Sequence, residues 1–123
     1  ATECGIYGAV YELAEASNLG IVLDKDTIGI KKAVDKICNF FGIDPFKSIS
    51  EGTLLIAVKE HKAEPLVEHL ASYGIDAYLA GEFLPKDKGI NIIVDGKQKP
   101  LVHPQVDPFW QAFYKALKMK PEQ

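Results

Sequence analysis

The sequence contains no arginine. All 14 of its basic residues are lysines, set against 17 acidic residues, for a net charge of −3 and a pI near 5.6. Nucleic-acid readers carry a basic surplus and use Arg for bidentate contacts to bases and phosphates. A mildly acidic chain without Arg argues against any nucleic-acid partner, and it rules out an arginine finger from these residues. An anion bound here would be held by Lys, hydroxyls or backbone N–H groups. Long apolar runs are missing too. The longest, residues 54–58, is strand-sized and far short of the ~20 residues that span a membrane. No membrane role is expected, and no secretion signal is visible. Cysteine is scarce. Cys4 and Cys38 form no CxxC pair, which argues against a disulfide framework and fits a reduced, cytoplasmic setting. Together with three scattered histidines they make no metal motif.

What is present describes an ordinary globular chain. It has 123 residues, 47% of them hydrophobic and 25% charged. That is enough to bury one core, so a single domain over residues 1–123 is expected. No repeat, low-complexity tract or linker interrupts it. The chain opens at Ala1 without an initiator Met, and residues upstream of it are expected.

Apolar residues at helical spacing predict helices over 6–17, 31–41, 63–73 and 108–118. Asn18 or Gly20 would stop the first, Gly42 the second and Gly74 the third. Pro65 is expected in the first turn of the third helix, where its missing N–H costs little. Asp107-Pro108 is a strong start for the last, with Asp as N-cap. Strands are expected over 20–23, 53–58, 75–83, 89–94 and 97–102, with Asp95-Gly96 as a two-residue hairpin turn. Residues 53–83 would then form one βαβ crossover. The whole reads as α+β, a mixed β-sheet covered by helices. Cys38, on the apolar stripe of the second helix, and Trp110, on the last, are read as core.

Two short segments carry candidate chemistry. Thr2, Glu3, Cys4 and Gly5 stand immediately before the first helix, where free N–H groups and the positive dipole end favour phosphate or carboxylate. Thr2 would add a hydroxyl and Glu3 a proton acceptor; plain capping explains the same residues. The Cys4 thiol would be acidified at that terminus, or else serve as a small passive side chain. Ser50, Glu51 and Gly52 precede the β-rich run 53–58, and Gly52 would permit a close backbone approach. Glu82, after Gly81, reads as a solvated residue at a bulge. His61, His69 and His103 read as solvated or capping residues. No catalytic residue and no metal ligand is assigned.

The order of these segments resembles the C-terminal domain of the AIR synthase-related superfamily. Its members include AIR synthase, selenophosphate synthetase, thiamine-monophosphate kinase and the hydrogenase-maturation carbamoyl dehydratase. Ala1-Thr2-Glu3-Cys4-Gly5, with the helix through Glu15-Ala16-Ser17, is similar to the family's D-x-T-[ER]-G-G segment and following helix. Ser50-Glu51-Gly52-Thr53-Leu54-Leu55-Ile56-Ala57-Val58 is similar to its S-S-G-T-L-L-I-A-V segment. Phe41-Gly42-Ile43-Asp44-Pro45-Phe46, Gly81-Glu82 and Ile93-Val94-Asp95-Gly96 fall in the expected order. Cys4 stands where the family commonly has Gly.

The resemblance implies an AIR synthase C-terminal-domain-like fold in which Thr2, Glu3, Cys4, Gly5, Ser50, Glu51 and Gly52 face a cleft. It implies ATP-dependent activation of an oxygen, with ATP and Mg held by an N-terminal domain that these residues do not include. No cofactor is evident in this chain itself. The expected partners are that N-terminal ATP-binding half, or a second copy covering the apolar surface its absence would expose. Two readings stand side by side. One is a substrate-side domain that is not catalytic alone; the other is a free-standing non-catalytic module for ligand binding or oligomerisation.

Overall fold

Ile6, Val10 and Ala14 recur at helical spacing and are all buried. They form the inner stripe of the first helix, α1 (Gly5–Ala16). It ends at Asn18, whose φ of 56° places it in the left-handed region. There Leu19 N–H reaches back to Ala14 O at 3.0 Å, and Asn18 N–H to Glu15 O at 3.0 Å. This pair of bonds is a Schellman stop, so the helix ends on Asn18 rather than on Gly20. The structure is a computed structural model that describes residues 1–118. The tail after Lys118 and its closing residues Lys120, Pro121, Glu122 and Gln123 lie outside the described residues.

The chain groups into two compact units. The first takes Ala1–Leu13, Ile30–Leu55 and the chain from Val102 onward; the second takes Ala14–Gly29 and Ile56–Leu101. The second unit holds a four-stranded sheet in the order β2-β1-β3-β4. Central β1 (Gly20–Asp24) pairs antiparallel with β2 (Gly81–Leu84) and parallel with β3 (Ile90–Val94). β3 pairs antiparallel with β4 (Lys97–Pro100). Leu23 lies beside Ile92 across the parallel ladder, and both are 2% exposed. The mixed sheet and the four α-helices among the described residues give the expected α+β class.

The hairpin turn forms where Asp95-Gly96 predicts it, with φ of 52° and 69°. Asp26 clamps it from outside. Its carboxylate accepts the Gly96 N–H at 2.8 Å and the Asp95 N–H at 3.1 Å. The Gly96 bond, then the Asp95 bond, hold the Asp26 carboxyl below its ordinary range.

Several expectations need correction. Residues 53–58 carry no strand, and the backbone of 54–58 makes no hydrogen bond among the described residues. Leu54 there is 77% exposed. A β-rich run states a preference, and only a facing ladder turns it into a strand. Of the expected strand 75–83 only residues 81–83 join the sheet, as part of β2, so no βαβ crossover forms over 53–83. Helix α3 (Glu60–Ser72) starts before Pro65, which lies inside it instead of in its first turn. Neither α2 (Lys32–Phe41) nor α4 (Pro108–Lys118) has a buried residue. Cys38 is therefore only half-buried, and Trp110 is 37% exposed rather than core.

Candidate functional site

The head of α1 is built in the first unit by two consecutive left-handed residues. Cys4 and Gly5 both have φ of 60°. This turn folds the chain back so that Thr2 O accepts the Gly5 N–H at 3.2 Å and the Ser50 N–H at 3.1 Å. One carbonyl thus joins the two segments singled out in the sequence. Ser50 and Thr53 share a hydroxyl–hydroxyl bond of 2.5 Å. Thr2, Glu3, Glu51 and Gly52 are exposed, Ser50 is half-buried, and Cys4 and Gly5 are buried. The exposed lip therefore presents hydroxyls and two carboxylates. A Cβ at Gly52 would meet nothing within 4 Å, so no close approach requires glycine there.

The left-handed turn spends the helix terminus on the protein itself. Cys4 N–H donates to Asp107 Oδ2 at 2.8 Å, Tyr7 N–H to Phe46 O at 3.1 Å, and Gly8 N–H to Cys4 O at 3.0 Å. With the Gly5 bond, three of the four N–H groups at the head of α1, those of Cys4, Gly5 and Tyr7, already have acceptors. The same turn gives the physical reason that Gly suits position 4, which Cys occupies here at a positive φ.

Asp107 is the residue on which this corner depends. It is 2% exposed. Besides Cys4 N–H, it accepts Phe109 N–H at 2.8 Å and the Ser48 hydroxyl at 3.3 Å. The Phe109 bond is the N-cap the sequence predicts. The other two tie α4 to the head of α1 and to the 46–48 segment, and local pattern carries no signal for them.

His103 takes the capping role expected of it. Its Nδ1 accepts the Gln105 N–H at 3.0 Å, so the ring proton sits on Nε2, 3.2 Å from Glu12 Oε1. Its ring meets Tyr11 edge-on at 5.5 Å. His61 and His69 stay exposed.

Carboxylates gather around Cys4 at this corner. Burial, then the carboxylates of Asp107, Glu12 and Glu3, push the Cys4 thiol above its ordinary value. The helix terminus does not acidify it. Cys4 is expected to react with Ellman's reagent at pH 8 roughly tenfold more slowly in the folded chain than in urea. Because the folded thiol holds its proton more tightly, its contribution to stability is complete below the ordinary thiol pKa. It is lost as pH rises through the folded value. An equally fast thiol in the folded chain would contradict this.

Among the described residues no group of three or more His, Cys, Asp or Glu side chains is placed to hold a metal. With three of its four terminal N–H groups committed and two carboxylates at its rim, the lip does not fit the triphosphate of ATP. No helix of the described residues is long and apolar enough to cross a membrane.

The family model for the AIR synthase related protein, C-terminal domain, matches residues 1–94. The chain belongs to this family. The carbamoyl dehydratase HypE of Escherichia coli is 34% identical over 111 residues, covering 88% of this chain and 33% of that protein. A hydrogenase expression/formation protein of Methanocaldococcus jannaschii is 37% identical over 93 residues, covering 74% of this chain and 28% of that one. The crystal structure of E. coli HypE superposes with a TM-score of 0.75 at 33% identity, covering 88% of this chain and 34% of that chain. A structure of a HypE–HypF complex gives a TM-score of 0.71 at 29% identity, over 84% of this chain and 34% of that one. The chain thus spans about a third of the length of these relatives. Asp107 and Trp110 lie beyond the stretch that the AIR synthase-related family model matches.

Proposed function

We propose that the chain is the substrate-side domain of a carbamoyl-dehydratase-like protein and does not catalyse alone. The carboxylates gathered at the head of α1 carry this reading. A lip rimmed by Glu3 and Glu51 repels a bare phosphate, whereas carboxylates accept hydrogen bonds from an amide NH2 and the hydroxyls of Thr2 and Ser50 donate to its oxygen. A neutral carbamoyl group fits such a lip. Removing the elements of water from it requires its oxygen to be activated, and the ATP and Mg for that step belong to an N-terminal half supplied in the same protein or by another chain. HypE's description as a carbamoyl dehydratase supports the assignment, as does the two-thirds of its length that this chain does not span.

The test is phosphate release from Mg-ATP with a carbamoylated cysteine peptide. It is run with the chain alone, and with the chain plus the E. coli HypE segment it does not match. Release is expected only in the second arm, and Glu3→Gln with Glu51→Gln is expected to lower it about tenfold or more. No release despite a demonstrated complex would favour the other reading, a module that keeps the fold without the chemistry.

A further inference from the structure

The first turn of α4 holds two neighbouring residues of the lip. Asp107 Oδ2 accepts the Cys4 N–H at 2.8 Å, and three residues on the Trp110 Nε1–H donates to Glu3 Oε1 at 3.4 Å. All four residues belong to the first unit. Trp110 N–H reaches back to Asp107 O at 3.2 Å, which puts positions 107 and 110 on one side of the helix start. Rings steady the indole. Phe109 meets it edge-on at a centroid distance of 5.1 Å and Phe113 at 6.1 Å. Trp110 is not core, yet its one polar atom is spent on a residue of the lip.

That contact bears on what the lip can accept. An ionised carboxylate is an acceptor at both oxygens. An exposed Glu side chain loses rotamer freedom when a ligand fixes it, and a bond already made within the protein takes up part of that loss beforehand. Glu3 Oε1 receives the indole N–H. Oε2 makes no hydrogen bond among the described residues and is the oxygen left for a ligand's N–H. At 3.4 Å the bond is long, so it biases the carboxylate rather than clamping it, and the effect to expect is modest.

We propose that Trp110 is a positioning residue: it orients Glu3 as an acceptor, so that the lip selects an amide NH2 over a group of the same shape with no N–H to donate. This rests on the carbamoyl reading above and narrows it to the nitrogen side of the ligand.

Trp110 is the chain's sole tryptophan, so proton–nitrogen correlation spectra hold one indole N–H peak. Glu3→Ala, at an exposed position, is expected to move that peak upfield in the proton dimension; an unmoved peak would overturn the inference without reference to catalysis. The second arm uses the chain with the E. coli HypE segment it does not match. Its probes are S-carbamoyl-cysteine and S-acetyl-cysteine peptides, the acetyl group carrying a methyl in place of NH2. The acetyl peptide is expected to compete at least about tenfold less well than unlabelled carbamoyl peptide. Trp110→Phe keeps the ring and removes the N–H. It should raise KM for the carbamoyl peptide about threefold or more with kcat unchanged, and narrow the carbamoyl–acetyl gap. Unchanged circular dichroism and a still-protected Cys4 amide would show that the variant keeps its fold. Phosphate release with the same KM and the same gap in Trp110→Phe would overturn this inference and leave the carbamoyl reading standing. Equal competition by the two peptides would overturn the selection of NH2. No release from the unsubstituted mixture would overturn the carbamoyl reading, and the role of Trp110 with it, even if the indole peak still reported the bond.

Discussion

Gly5→Ala is expected to destabilise the first unit by about 3 kcal/mol or more, a loss reserved for a few mechanisms. Two costs combine. The φ of 60° at Gly5 is left-handed, which costs an alanine about 1 kcal/mol. In addition, a Cβ there would lie 2.6 Å from Phe46 O and 2.6 Å from Ser48 O. Both are backbone atoms, so the whole 46–48 segment would have to retreat. Gly42→Ala supplies the control. Its φ is 65°, yet a Cβ there would meet nothing within 4 Å. It should cost only about 1 kcal/mol. Urea denaturation of the two variants separates crowding from backbone strain, and equal losses would refute the crowding argument. Hydrogen exchange at the Ser50 amide, which donates to Thr2 O, should accelerate in Gly5→Ala first, because that bond depends on the same close approach.

The second large effect is at Asp107. Asp107→Ala removes an N-cap, typically worth about 1 kcal/mol. It also strands the Cys4 N–H and the Ser48 hydroxyl in a buried corner, at about 1–3 kcal/mol for each donor. The expected total is about 3–7 kcal/mol. Asp107→Asn keeps one accepting oxygen and replaces the other with a donor, so it should lose roughly half as much. A total loss under 1 kcal/mol for the alanine variant would mean that Asp107 is only a cap. A merely weakened α4 would leave the Cys4 amide protected, whereas loss of the tie proposed here should expose it to exchange.

The elements written in neighbouring residues were legible in the sequence. Asp107-Pro108 starts a helix, Asp95-Gly96 turns a hairpin, and Gly42 and Gly74 stop helices, because each acts through its own backbone. Features that depend on distant atoms were not legible. The run at 54–58 has strand composition, but no ladder faces it. Pro65 reads as a helix start because that is where proline costs least, and α3 nonetheless begins earlier. Trp110 has the spacing of a core residue, but spacing cannot tell a stripe packed inward from one left open. At the candidate site, the two segments were found and their junction through Thr2 O was not. The carboxylates around Cys4 were missed for the same reason. A helix start suggests positive character, and only the fold shows Asp107, Glu12 and Glu3 gathered around Cys4.

The bond from Cys4 N–H to Asp107 joins residues 103 positions apart. During synthesis, therefore, the loop that opens the chain cannot take its final form when it leaves the ribosome. It has to wait until almost all of the described chain has followed it. Until then Cys4 has no carboxylate to close against, and the first unit, assembled from three separate stretches, has only two of them. The sheet of the second unit is encoded entirely before residue 102 and can form first. Folding should accordingly end where the candidate site begins, so a protein stalled or clipped before Asp107 would keep a sheet and lack a finished lip.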